Sequence, residues 1–292
     1  MDERTALRLL ASDLEYAGDD AAIVDGLVIT TDMLHERTDF PDGTTRYTAG
    51  WRSVGASLSD VAAMGARATA AVAAYAAEEF VESELRSYVE GAVDVCESVG
   101  ASYVGGDLDI HNEFTVATTA IGETDDPVMR SGAAAGDVVC VTGALGRSAA
   151  GLAAFEAGAF DRGNELFRFP PRVEAGTALA EDASAMMDSS DGLARSLHQL
   201  AEASGCGFEI DREAVPIAEA LESVADSDTE LWELATTFGE DFELVCTIPE
   251  DRVAAARSAS PVEVTPIGRV VPSDAGVTVD GEPLADRGYT HQ

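Results

Sequence analysis

The sequence contains no lysine. All 18 basic residues are arginine, set against 54 acidic ones, and the formal charge is −36 over 292 residues. Without lysine there is no Walker-A lysine, no Schiff-base amine and no lysine stripe for nucleic acid. A chain this negative repels nucleic acid and anionic membranes alike. Cysteine is also scarce. Cys96, Cys140, Cys206 and Cys246 lie far apart, with no CxxC spacing and no neighbouring histidine. That argues against a zinc site or a disulfide framework and predicts buried free thiols. His35, His111, His198 and His291 have no ligand spacing. No apolar run approaches the roughly 18 residues of a membrane span. Met1-Asp2-Glu3-Arg4 lacks the basic start and apolar stretch of a signal peptide. A cytoplasmic protein that binds neither membrane nor nucleic acid is expected.

What is present supports a folded chain. The hydrophobic fraction is 46%, enough for a normal core. Most of the acids must then sit on solvated surface, as in adaptation to high salt, where repulsion is screened within a few Å. The length suggests two domains. Strand-like and helix-like segments alternate. Strands are expected at 22–31, 68–75 and 114–121, and helices at 48–65 and 82–100. The second helix would bury Leu85, Val89, Val93 and Cys96. A polar break at 122–136 divides the chain into 1–128 and 129–292. Beyond it, strands are expected at 138–142, 185–188, 208–211, 242–248 and 262–271. Helices are expected at 148–157, 172–182, 193–204 and 230–237. The pattern is α/β or α+β in two similar halves.

The informative acids are those beside small residues, read as loops at the ends of apolar strands. They lie in Gly18-Asp19-Asp20, Thr30-Thr31-Asp32, Ser57-Leu58-Ser59-Asp60, Gly105-Gly106-Asp107, Asp188-Ser189-Ser190-Asp191-Gly192 and Gly239-Glu240-Asp241. Any one of them could be a helix cap or a turn. Together they suit magnesium, which takes oxygen ligands and keeps several waters. Glycines let a phosphate approach backbone N–H groups. Transfer between two phosphorylated molecules fits this set. Lysine normally offsets the crowded charge, and aspartate-held Mg²⁺ can replace it. A phosphate nucleophile, with its second pKa of about 6, needs no general base at neutral pH.

In order, the stretches GDDAAI (18–23), TTDML (30–34), SLSDVAAMGA (57–66), GGDL (105–108), RSGAAAGDVVCVTGALGRSAAGL (130–152), SSDGL (189–193) and GEDFEL (239–244) resemble the thiamine-monophosphate kinases. These belong to the superfamily of aminoimidazole ribonucleotide synthetase. The resemblance implies a two-domain α/β (α+β) fold whose N-terminal sheets pair into a dimeric barrel, with a C-terminal α/β domain. It implies a homodimer that uses ATP to phosphorylate thiamine monophosphate. Asp20, Thr30, Thr31, Asp32, Asp60, Asp107, Asp188 and Asp191 would hold several Mg²⁺ ions. Gly106, Asp107, Arg130 and Ser190 would meet ATP. Glu240 and Tyr289 would contact the substrate, Tyr289 by stacking on a cationic ring. Asp39 occupies the place of a family histidine, and an aspartate cannot donate to a phosphate. A relative acting on another phosphate monoester and a non-catalytic nucleotide sensor are the alternatives. A selenophosphate synthetase or a hydrogenase maturation protein would carry a reactive cysteine that is missing here.

Overall fold

The computed structural model describes Leu9, Leu14 and residues 16–288. The first half is a five-stranded sheet covered by two long helices. It runs β1 (Ala22–Val24), β2 (Leu27–His35), a single turn α1 (Glu36–Asp39), α2 (Arg46–Ala63), β3 (Arg67–Ala77), α3 (Glu82–Ser98), β4 (Ser102–Ile110) and β5 (Thr115–Glu123). The strand order is β1-β2-β5-β3-β4. β3 and β4 are parallel, joined by the crossover helix α3, and the other pairs are antiparallel.

Ala22–Thr31, expected as one strand, is a hairpin. Asp25-Gly26 turns the chain with φ of 52° and 81°, the left-handed pair that a two-residue hairpin demands. β3 is mostly alanine, a weak strand former. Its small side chains let α2 lie close against the sheet, and Ala68, Ala71 and Ala73 are buried there. α2 and α3 also approach closely, through paired glycines. A Cβ on Gly50 would lie 2.1 Å from the Tyr88 carbonyl oxygen, and one on Gly91 would lie 2.0 Å from that of Tyr47. The face α3 buries is therefore Tyr88, Gly91, Ala92, Val95 and Cys96, with Val89 exposed, not the expected stripe through Leu85 and Val89.

The second half holds β6 (Val138–Thr142), α4 (Arg147–Glu156), α5 (Phe160–Phe167), α6 (Val173–Leu179), β7 (Ala185–Asp188), α7 (Leu193–Ser204) and β8 (Cys206–Ile210). It continues with α8 (Glu219–Glu222), α9 (Asp228–Thr237), β9 (Leu244–Ile248), α10 (Val253–Ala259), β10 (Val264–Pro272), β11 (Val277–Val279) and β12 (Glu282–Pro283). Its seven strands are ordered β12-β11-β8-β10-β6-β9-β7. One apolar cluster runs from Val28, Leu58 and Tyr88 of the first half into Val173, Met186 and Leu244 of the second. A separate cluster, including Val141, Leu197, Phe208 and Ile267, packs the rest of the second sheet. Cys96, Cys140 and Cys246 are buried free thiols, and Cys206 is half-buried. No described helix is long and apolar enough to cross a membrane.

Candidate active site

Several acids expected in loops sit instead inside regular elements. Thr30-Thr31-Asp32 is mid-strand in β2 and Gly105-Gly106-Asp107 is within β4, whereas Ser57–Asp60 is the fourth turn of α2, inside the helix expected at 48–65. This matters because regular structure fixes their direction. Strand alternation sends Thr30 and Asp32 to the face under α2 and Thr31 to the opposite face. Ser57 and Asp60, three residues apart, share one side of α2. The Ser57 hydroxyl donates to Asp32 Oδ2 at 2.6 Å, and the Thr30 hydroxyl donates to Asp60 Oδ2 at 2.5 Å. The Thr31 hydroxyl donates to the Thr118 carbonyl oxygen at 2.8 Å on the far side.

Three carboxylates converge where the two halves meet. Asp20 comes from the loop before β1, Asp60 from α2 and Asp188 from the end of β7, and one oxygen of each lies within 4.8 Å of the others. Burial raises the pKa of Asp60 well above the usual carboxylate value, and Asp32, Asp188 and Asp20 raise it further. Burial and then Asp20 push Asp188 up to about 6. Burial and then Asp20 do the same to Asp19, also to about 6. Asp32 is raised by burial. Among the described residues, Asp188 Oδ2 and the nearby Ser59 hydroxyl are buried without a well-formed hydrogen bond. A poorly satisfied buried oxygen among crowded carboxylates is a donor set for a hard divalent cation. Mg²⁺ fits it: the converging ligands are all oxygen.

Arg130 brings a positive charge into contact with this cluster. Its guanidinium forks onto both oxygens of Asp20 at 3.0 Å, and its backbone N–H donates to Asp19 Oδ1 at 2.9 Å. The Ser189–Gly192 turn follows Asp188. There the Ser190 N–H donates to Asp188 Oδ1 at 3.1 Å, and the half-buried Asp191 lies beside it. This turn is clasped to the loop before β9. A Cβ on Gly239 would fall 2.4 Å from the Ser190 carbonyl oxygen, so only glycine fits. The Glu240 N–H donates to the same carbonyl at 2.6 Å, and the Glu243 N–H donates to the Ser189 hydroxyl at 3.0 Å. Asp241 is buried across the first turn of α4, accepting from the N–H groups of Gly146 and Ser148, and burial pushes it up to about 7.

Other expected residues are not brought to the cluster. Asp107 shares a row with Ala74, Ala117 and Met33, whereas Asp32 shares one with Thr118, Ala73 and Gly106. Adjacent rows point to opposite faces, and β2 and β4 are three strand spacings apart, about 14 Å. Within one chain Asp107 cannot meet Asp32, and it is exposed. The Asp39 carboxylate is buried on its own turn, accepting from the His35 N–H at 2.6 Å and the Thr38 hydroxyl at 2.8 Å. Tyr289 and His291 lie outside the described residues.

Sequence reasoning missed two arginines. Arg52 is fully buried and its Nη2 donates to Glu240 Oε2 at 2.8 Å. Arg172 pairs with the buried Glu243 through two nitrogens, one at 2.7 Å. For Arg52 the available signal was a lone charge on the apolar face of an alanine-rich helix, which is costly unless paired; Arg172, at the start of α6, carried none.

Models of the "AIR synthase related protein" N-terminal and C-terminal domains match residues 18–124 and 134–280. A Halobacterium salinarum protein named thiamine-monophosphate kinase is 60% identical over 100% of both chains. Its namesake from Methanospirillum hungatei is 41% identical over 100% of this chain and 99% of its own. The solved structure of AaThiL complexed with AMPPCP and TMP superposes with a TM-score of 0.90 at 29% identity, covering 100% of this chain and 97% of that one. By sequence along its whole length and by fold, the chain belongs to the thiamine-monophosphate kinase family of the AIR synthase-related proteins.

Proposed function

We propose that this chain transfers the γ-phosphoryl group of ATP to thiamine monophosphate, giving thiamine diphosphate and ADP, in the cytoplasm. The observation that carries this reading is the meeting of Asp20, Asp60 and Asp188 between the two halves, in a chain with no lysine to offset phosphate charge. These three, with Asp32 and Asp191 beside them, would hold Mg²⁺. When bound, Mg²⁺ neutralises phosphate oxygens and the charge that develops during transfer. Arg130 and the Ser190 side chain orient the phosphates at the cluster. Glu240 faces the organic part of the substrate. No side chain is needed as a general base, because the acceptor phosphate is already anionic at neutral pH.

The protein acts as a homodimer in this reading. The outer face of the first sheet exposes Leu27, Ile29 and Met33, and its edge strand exposes Val104, Leu108 and Ile110. An apolar face with an unpaired edge calls for cover. Pairing with a second copy would also give Asp107 a place beside another chain's phosphates. The test is an assay in molar KCl for thiamine diphosphate. Product should require ATP, Mg²⁺ and thiamine monophosphate together, and its absence overturns the assignment. Leu108→Asp should convert a dimer to a monomer in light scattering.

A further inference from the structure

Arg52 stands on α2 but serves the second half of the molecule. Its Nη1 donates to the Phe167 carbonyl oxygen at 2.9 Å and its Nη2 to Glu240 Oε2 at 2.8 Å. Its charge lies 4.3 Å from the centroid of the Phe167 ring, with Phe169 and Phe242 at 5.6 and 5.8 Å. Phe169 and Phe242 stack on each other at 4.1 Å. A cation walled in by three rings cannot return to water, so its carboxylate partner is fixed.

Glu240 is held from the other side as well. Its backbone φ is 59° and that of Phe242 is 54°, left-handed values that side chains adopt only when the surroundings impose them. The clasp to Ser190 and the seat of Asp241 on α4 impose them here. One Glu240 oxygen is thus spent inward on Arg52. The other, Oε1, is hydrogen-bonded by no described residue, and the side chain is 20% exposed.

We propose that Arg52 is a positioning residue that makes Glu240 a fixed, charge-compensated acceptor, so that the site selects its substrate by a donated N–H rather than by positive charge. This rests on the kinase reading, and it names the substrate feature read here: the exocyclic amine of the aminopyrimidine, not the cationic thiazolium ring. A cation approaching Glu240 meets a neutral pair with the positive end 2.8 Å behind it. An amine donates one hydrogen bond to Oε1 and needs no net charge.

The experiment is titration of thiamine monophosphate and of its oxo analogue, with the amine replaced by a carbonyl oxygen. Both are bound with Mg²⁺ and a non-hydrolysable ATP analogue. The wild type should prefer the amine by about 10- to 100-fold, the range of a hydrogen bond to a charged group. Glu240→Gln should invert that preference or reduce it to within about threefold. Arg52 has only donors, so it draws the amide oxygen inward and turns the amide N–H toward the ligand. Arg52→Lys keeps the charge but loses the fork. It should raise KM for thiamine monophosphate about tenfold and leave KM for ATP unchanged. Equal binding of the two ligands by the wild type overturns the inference, as does an unchanged ratio in Glu240→Gln. If Arg52→Lys does not fold, the Glu240→Gln ratio decides alone. A wild type that makes no thiamine diphosphate defeats the kinase reading, which the binding ratio does not address.

Discussion

Two buried acidic regions lie side by side in this molecule and are built in opposite ways. In one, Asp20, Asp60 and Asp188 share a space with Asp32 and, among the described residues, one paired arginine, Arg130. In the other, Glu240 and Glu243 each have an arginine of their own, Arg52 and Arg172, the first enclosed by aromatic rings. The first region leaves charge uncompensated and raises its carboxyl pKa values, as a site does that waits for a divalent cation. The second cancels the charge of Glu240 and Glu243 with arginines, seats Asp241 on backbone N–H groups, and offers geometry. Charge left over marks the place of phosphate chemistry; charge cancelled marks the place of hydrogen-bond recognition.

The sharpest break of this contrast is Asp188→Asn. Removing one ligand of the cluster should lower turnover by about 10³-fold, on the scale of losing a principal electrostatic group. It should also stabilise the metal-free protein. The carboxylate is 1% exposed and its pKa rises from 3.8 to about 6. Relieving that strain should contribute about 1–3 kcal/mol at neutral pH. Product assays and urea unfolding in chelator read the two effects. A variant that is both inactive and less stable in chelator would show that the cluster is not strained.

The same operation in the paired region should run the other way. Arg172→Met leaves the buried Glu243 without its cation, with the Thr142 hydroxyl still donating to it at 2.7 Å, and stability should fall by about 3–5 kcal/mol. Glu243→Leu added to it should restore most of the loss, because the pair as a whole contributes little over an apolar replacement. Urea midpoints of the two single variants and the double variant form the cycle.

Much of the first region was legible in the sequence and little of the second was. Asp20, Asp60 and Asp188 stand beside glycine or serine in stretches whose order is itself informative. The stretch around Asp60 reads as a loop by its small residues although it falls within the helix expected at 48–65, and Asp32 projects from mid-strand, because small residues around a carboxylate occur in helices and strands as well as in loops. The Asp25-Gly26 hairpin carried a local signal that a continuous β-branched run obscured. Asp107 was assigned to the cluster by motif, but strand parity, which depends on pairing register, turns it to the other face. Arg52 and Arg172 act across 188 and 71 residues of sequence. Nothing local announces such pairs beyond a charge in an apolar setting.

pH separates the regions more gently. For Asp188 and Asp19 the folded pKa, about 6, lies above the ordinary 3.8. Between those values the folded state holds more protons than the unfolded chain. Their contribution is complete below about 3.8 and is lost as pH rises through about 6. Mg²⁺ binds the deprotonated form, so it should cancel the loss, and its affinity should weaken as pH falls below about 6. The difference in unfolding midpoint between Mg²⁺ and chelator should therefore widen from pH 5 to 7.5. A difference that does not depend on pH would remove the cluster as the metal's seat.

The smallest effect belongs to the acids that neither region uses. Glu209 pairs with Arg269 at 2.6 Å, but the two side chains are 44% and 66% exposed. Water competes for both, so Glu209→Gln should change stability by less than about 0.5 kcal/mol. Its sign should follow salt. At low ionic strength the chain carries a charge of −36, and removing any one acid relieves repulsion. At about 1 M salt the screening length is about 3 Å and that relief disappears. The carboxylates of the cluster lie within 4.8 Å of one another in a buried space, where salt screens less. Thermal unfolding of Glu209→Gln and Asp188→Asn, each in chelator at low and molar KCl, places the two on one scale. The surface variant should lose its small advantage as salt rises, and the cluster variant should keep most of its larger one. Equal salt dependence would mean that the cluster is only another patch of a generally acidic surface.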